Sequence, residues 1–99
     1  MNGYYFNQFI GYLQLVYEQL NKPDCKERVS IIFEVIKEYV QHQIDTRRKK
    51  IDFITENYNL IRHKSKRDEM SMYVTEIQEL NQLLIELSKV FNRVIELSK

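Results

Sequence analysis

The chain has 99 residues, a formal net charge of +1, 43% hydrophobic and 29% charged residues, and a single cysteine, Cys25. That length fits one domain, and the apolar content excludes a wholly disordered chain. Near-neutrality gives no global field toward nucleic acid or an anionic membrane, and one cysteine allows neither an intrachain disulfide nor a cysteine metal cluster.

No stretch reaches the roughly 18 apolar residues of a membrane span. The first residues lack the basic start and small-residue cleavage site of a signal peptide. The expectation is a cytoplasmic protein with no membrane partner.

The first helix is expected over about 4–21. Phe6, Phe9 or Ile10, Leu13, Val16 or Tyr17, and Leu20 make its inward stripe. Gly11 lies inside it and suggests close approach of another backbone. Tyr4, Tyr5, Tyr12 and Leu15 carry the apolar surface well beyond one stripe. Six of the twelve aromatics fall in the first 17 residues, so this helix is greasy nearly all round. Such a helix meets a partner when the core is too small to cover it. Tyr4, Tyr5, Phe9 and Tyr12 are the expected association face.

Asn21-Lys22-Pro23-Asp24 ends that helix, and Asp24 with Glu27 reads as a capping box for the next. From Asp24 to Lys99 there is neither glycine nor proline. The second helix is expected over about 24–63, running straight through the basic run Arg47-Arg48-Lys49-Lys50, because one pairing register with the third helix holds on both sides of it; the alternative is a break near Asp45-Thr46 that gives four shorter helices. Its core face is Val29, Ile32, Phe33, Ile36 and Val40. Phe33, Ile36, Val40, Ile44, Arg47, Ile51, Ile54, Tyr58 and Ile61 form its seam.

Residues 64–67 are the expected tip, with Ser65 and Asp68 or Glu69 capping a third helix over about 68–98. That helix carries an unbroken 3-4 series: Met70, Tyr73, Ile77, Leu80, Leu84, Leu87, Phe91 and Val94. The two seams mirror each other about Ser65–Lys66, so residues whose numbers add to 131 should sit level. Arg47 then faces Leu84, where a charge must snorkel or find an acid. Residues 24–67 hold eleven basic residues against seven acids, and residues 68–99 hold six acids against three basic, so the arms complement each other. The expected fold is all-α: a short aromatic first helix on a long antiparallel hairpin, a three-helix bundle at one end. Tyr58, Ile61, Met70, Met72, Tyr73, Val74 and Phe53 stay partly wet where only two helices meet. That is a second reason to expect a dimer or a protein partner.

No residue pattern points to catalysis or a cofactor. His42 has Glu38 at i−4 but no second ligand at a metal spacing, and His63 belongs to the basic tip. There is no Gly-rich phosphate loop and no nucleophile elbow, so neither an enzyme nor a small-molecule substrate is expected. The expected function is a non-enzymatic helical interaction or regulatory protein that self-associates. Arg62, Lys64, Lys66 and Arg67 offer an alternative, grip on an acidic partner or on nucleic acid. In size and hairpin shape the chain resembles the small proteins of type VII secretion. Their Trp-x-Gly turn is absent, and no tyrosine is followed four residues later by Asp or Glu. No residue role carries over, and a secretion-associated chaperone role rests on shape alone.

Overall fold

The computed structural model describes residues 3–97, with only the backbone of Tyr4. It is an all-α bundle of three helices: α1 Gly3–Gln19, α2 Cys25–Asn57 and α3 Lys64–Leu97. The molecule is a rod of 59 × 22 × 17 Å. Helix α2 runs unbroken through Arg47–Lys50. Nothing in that stretch removes a backbone donor or relaxes φ; Arg48, Lys49 and Lys50 face solvent, while Arg47 turns inward to Glu76. No helix among the described residues is long and apolar enough to cross a membrane.

The turn at Pro23 departs from expectation. Asp24 sits in the left-handed region at φ 61, ψ 28, and its side chain makes no capping hydrogen bond. A capping box needs an extended N-cap residue, so Asp24 and Glu27 do not form one. The carbonyl of Asp24 accepts from the Arg28 N–H at 3.0 Å and starts the helix through backbone alone.

The second correction lies at the tip. Helix α2 ends at Asn57, six residues before the expected His63, and α3 begins at Lys64 rather than near Asp68. Tyr58 is extended, and its N–H donates to the Ile54 carbonyl at 3.0 Å. The Asn59 side-chain oxygen then accepts the Ile61 N–H at 3.0 Å, and its carbonyl accepts from Arg62 and His63. An asparagine side chain that mimics a backbone turn stops a helix without glycine or proline. Ser65 and Asp68 consequently lie inside α3 and cap nothing.

This earlier turn resets the pairing of the arms. Phe33 stacks on Phe91 with ring centroids 4.7 Å apart. Arg47 Nε reaches Glu76 Oε2 at 3.1 Å, and Lys50 lies over the Tyr73 ring at 5.3 Å. Thr55 Oγ1 meets Met70 Sδ at 3.9 Å, and Lys66 lies over Tyr58 at 4.7 Å. Level residues therefore have numbers adding to 123–125, one heptad below 131. A seven-residue slip returns every side chain to the same face, so both seams survive with exchanged partners. Arg47 no longer meets Leu84. It is half-buried against Glu76 and also donates to the Gln43 carbonyl at 3.0 Å.

The slip has a direct test. Arg47→Glu or Glu76→Arg alone should cost about 1–2 kcal/mol in urea unfolding, since each leaves two like charges half-buried together. The double exchange should recover most of that loss. Additive losses would place the two side chains apart and restore the unshifted pairing.

Helix α1 packs along the end of the hairpin away from the tip. Its buried contribution is Tyr5 and Val16, with Phe9 and Tyr12 partly buried against the same core. That core joins Val29, Phe33, Ile36, Val40 and Ile44 of α2 to Leu80, Leu83, Leu87 and Phe91 of α3. Leu83 lies off the α2-facing seam yet is fully buried, in the same core cluster as Tyr5 and Val16 of α1. Gly11 does not mark a close approach: an added Cβ would meet nothing within 4 Å. Gly11→Ala should therefore stabilise the protein by about 1 kcal/mol, read as a rise in thermal midpoint. A fall would mean that hidden packing requires the glycine.

Candidate functional site

Helix α1 carries two interleaved stripes. Tyr5, Phe9, Tyr12 and Val16 recur at 4-3-4 spacing and face the core. Phe6, Ile10, Leu13 and Tyr17 recur at 4-3-4 spacing about one residue's rotation away, and Leu20, in the turn just after the helix, continues the series. Of these only Leu13 is half-buried, and Tyr17 is 76% exposed. The expected assignment is thus largely inverted. Tyr5, 3% exposed, is a core residue, and Phe9 and Tyr12 spend much of their surface inside. The Tyr4 side chain lies outside the described residues. The outward apolar face consists instead of Phe6, Ile10, Tyr17 and Leu20, which the spacing predicts as part of the inward stripe. Both series obey helical spacing, so the pattern on α1 alone does not choose between them.

The exposed apolar surface continues on α2. Ile31, Val35 and Tyr39, four residues apart, all face solvent. Gln19 of α1 shares a shallow groove with Arg28, Ile31 and Ile32. That groove joins the C-terminal end of α1 to this second row.

The basic residues at the tip divide into two groups. Arg62, Lys64 and Arg67 are exposed on the turn and the first turn of α3. Beside them Ile61 is 86% exposed. Lys66 is drawn inward: its Nζ lies 3.2 Å from Glu69 Oε2 and over the Tyr58 ring. Tyr73 Oη donates to Glu69 Oε1 at 3.1 Å. The hydrogen bond from Lys66, then that from Tyr73, holds the Glu69 carboxyl below its usual range. The bond to Glu69 raises Lys66, while partial burial, then the Glu69 bond, raises Tyr73. The network is therefore complete at neutral pH. It weakens as pH falls through the depressed Glu69 pKa and as pH rises through the elevated Lys66 pKa.

Between these two places lies an open groove of about 420 Å3. Thr46, Lys49, Lys50, Phe53 and Ile54 of α2 line one side, and Lys66, Glu69 and Tyr73 of α3 the other. A groove on another part of the hairpin places His42 with Glu34, Glu38 and Asp45. Among the described residues, no group of three or more His, Cys, Asp or Glu is placed to hold a metal ion.

Comparison of the chain with known protein families, curated protein sequences and solved structures finds no match.

Proposed function

We propose that this is a non-enzymatic interaction protein of a reducing, cytoplasmic compartment that self-associates through the outer stripe of α1. The observation that carries the reading is that stripe itself: Phe6, Ile10, Leu13, Tyr17 and Leu20 at the 3-4 spacing by which one helix seats on another. Glu18 is the only charged residue between Gly3 and Gln19, so two copies of α1 meet without like-charge repulsion. An antiparallel pair about a two-fold axis is self-complementary, with Phe6 of one copy opposite Tyr17 of the other. The row Ile31, Val35 and Tyr39 would extend the contact.

Light scattering tests it. The wild type should give a dimer mass that falls on dilution, and Ile10→Lys with Tyr17→Lys should give the monomer mass with unchanged helical circular dichroism. A wild type of monomer mass at every concentration would sink the reading.

The exposed cluster Arg62, Lys64 and Arg67 supports a second reading, docking of the tip on an acidic partner. Segment 57–67 holds four basic residues and no acid on a chain of net charge +1. Reversing Arg62 and Arg67 to Glu should then abolish partner binding while leaving the fold intact. Binding of nucleic acid by the same cluster would show instead as an affinity that drops steeply with salt.

A further inference from the structure

The groove on the tip half of the rod continues the seat of α1. On α2, Ile32 lines the groove with Gln19 of α1, and heptad steps from it lead past the half-exposed Tyr39 to Thr46 and Phe53. On α3, Leu83 lies off the seam in the core it shares with Tyr5 and Val16 of α1, and heptad steps toward the tip lead to Glu76 and Glu69. Thr46, Phe53 and Glu69 all line the open groove. One continuous furrow therefore runs between α2 and α3. Helix α1, with 17 residues against 33 and 34, fills about half of it. Beyond α1 the furrow loses the third layer. Ile54 is buried but separate from the main core, and Phe53 is 59% exposed.

The open half differs from the covered half in charge. Its floor is apolar and aromatic, from Phe53, Ile54 and Tyr73, while Lys49, Lys50 and Lys66 stand along its edges. Glu69 is the one acid lining it, and both its oxygens are engaged, by Lys66 and by Tyr73. Lys49 and Lys50 make no salt bridge among the described residues. Tyr73 spreads its ring beneath Lys50 at 5.3 Å, which keeps that ammonium over the groove.

We infer that this half-furrow is the docking site for an acidic amphipathic helix of a partner protein, seated end to end with α1 as the missing third helix. Its apolar stripe lies on Phe53 and Ile54, and its carboxylates face Lys49 and Lys50. The span from Thr46 to Tyr58 admits about three to four helical turns. Charge complementarity selects the occupant. A second copy's α1, with Glu18 as its one acid, offers a single carboxylate near its C-terminal end for the two lysines. The inference does not depend on self-association through α1. It names a partner class for the basic half of the rod, at a place separate from Arg62, Lys64 and Arg67.

The test uses the full chain and a fluorescein-labelled model peptide of about five helical turns, with leucines at 3-4 spacing flanked by glutamates. Its counterpart carries lysine for every glutamate, and vesicles of phosphatidylglycerol serve as a third probe. The acidic peptide should bind with amide shifts centred on Thr46, Phe53 and Tyr73. The lysine peptide should bind at least about tenfold more weakly. Lys49→Glu with Lys50→Glu, and separately Phe53→Glu, should each cost the acidic peptide at least about tenfold. All three positions are exposed, so circular dichroism should stay helical in these variants. Equal binding of the two peptides, or no binding of the acidic one, overturns the inference. Shifts confined to Arg62, Lys64 and Arg67 overturn it in favour of the tip, and vesicle binding without peptide binding overturns it in favour of a lipid surface.

Discussion

Truncation of Phe91 to alanine should cost this protein about 3.5–6.5 kcal/mol, a large share of its stability. Phe91 is fully buried and stacks on Phe33 with an angle of 16° between the rings. It sits where all three helices share one core. Deleting a buried phenylalanine costs about 3–5 kcal/mol, in part for the cavity left behind. Loss of the stacked pair adds about 0.5–1.5 kcal/mol. A domain of this size has about 5–15 kcal/mol in total. Urea unfolding followed by circular dichroism should show a midpoint far below the wild type, or a chain already partly unfolded in buffer. Phe53→Ala is the control: that ring is largely exposed and its loss should move stability by no more than about 0.5 kcal/mol. Equal effects of the two changes would mean that the core does not lie where Phe33 and Phe91 meet.

The second large effect comes from adjacent residues of α1. Tyr5→Asp should undock α1, and Phe6→Asp should not. An aspartate at position 5 would place an unpaired carboxylate in the core, at a cost of several kcal/mol. The same change at Phe6 points into solvent. If α1 lifts away, Leu83 loses its cover, and hydrogen exchange should quicken at Leu80–Phe91 as well as within α1. In Phe6→Asp those amides should stay protected. If self-association uses the outer stripe, its mass in light scattering should fall. Phe9→Asp mixes the two effects, because Phe9 packs against the core while lying beside the outer stripe. Similar exchange behaviour in the Tyr5 and Phe6 variants would contradict the observed rotation of α1.

These two results probe what periodicity alone left open. On α3, the series from Met70 to Val94 identified the inner face, and the buried residues Leu80, Leu87 and Phe91 belong to it. On α2, Phe33, Ile36, Val40, Ile44 and Ile54 did the same, and the absence of glycine and proline carried the helix through four consecutive cations. The tip was harder to read. Asn57-Tyr58-Asn59 was its signal, two asparagines in three residues, but it is weaker than the breakers usually sought. The candidate sites followed the same division. The exposed cations Arg62, Lys64 and Arg67 were legible as a charged turn. The furrow formed by Thr46, Lys49, Phe53 and Tyr73 was not, because its residues meet only across two helices.

The spacing of apolar residues by itself determined that this chain is helical and which faces of α2 and α3 turn inward, and Pro23 marked the first break between helices. Those properties depend on neighbours within a few turns along one helix. Tertiary structure alone decided the heptad by which the arms pair, the rotation of α1 and the half of the furrow left open. A seven-residue repeat is blind to a slip of its own length, and two adjacent stripes on one helix serve packing equally well until a third surface favours one of them. The Asn59 turn sets the slip, and Leu83, away from the seam, provides the surface against which α1 settles.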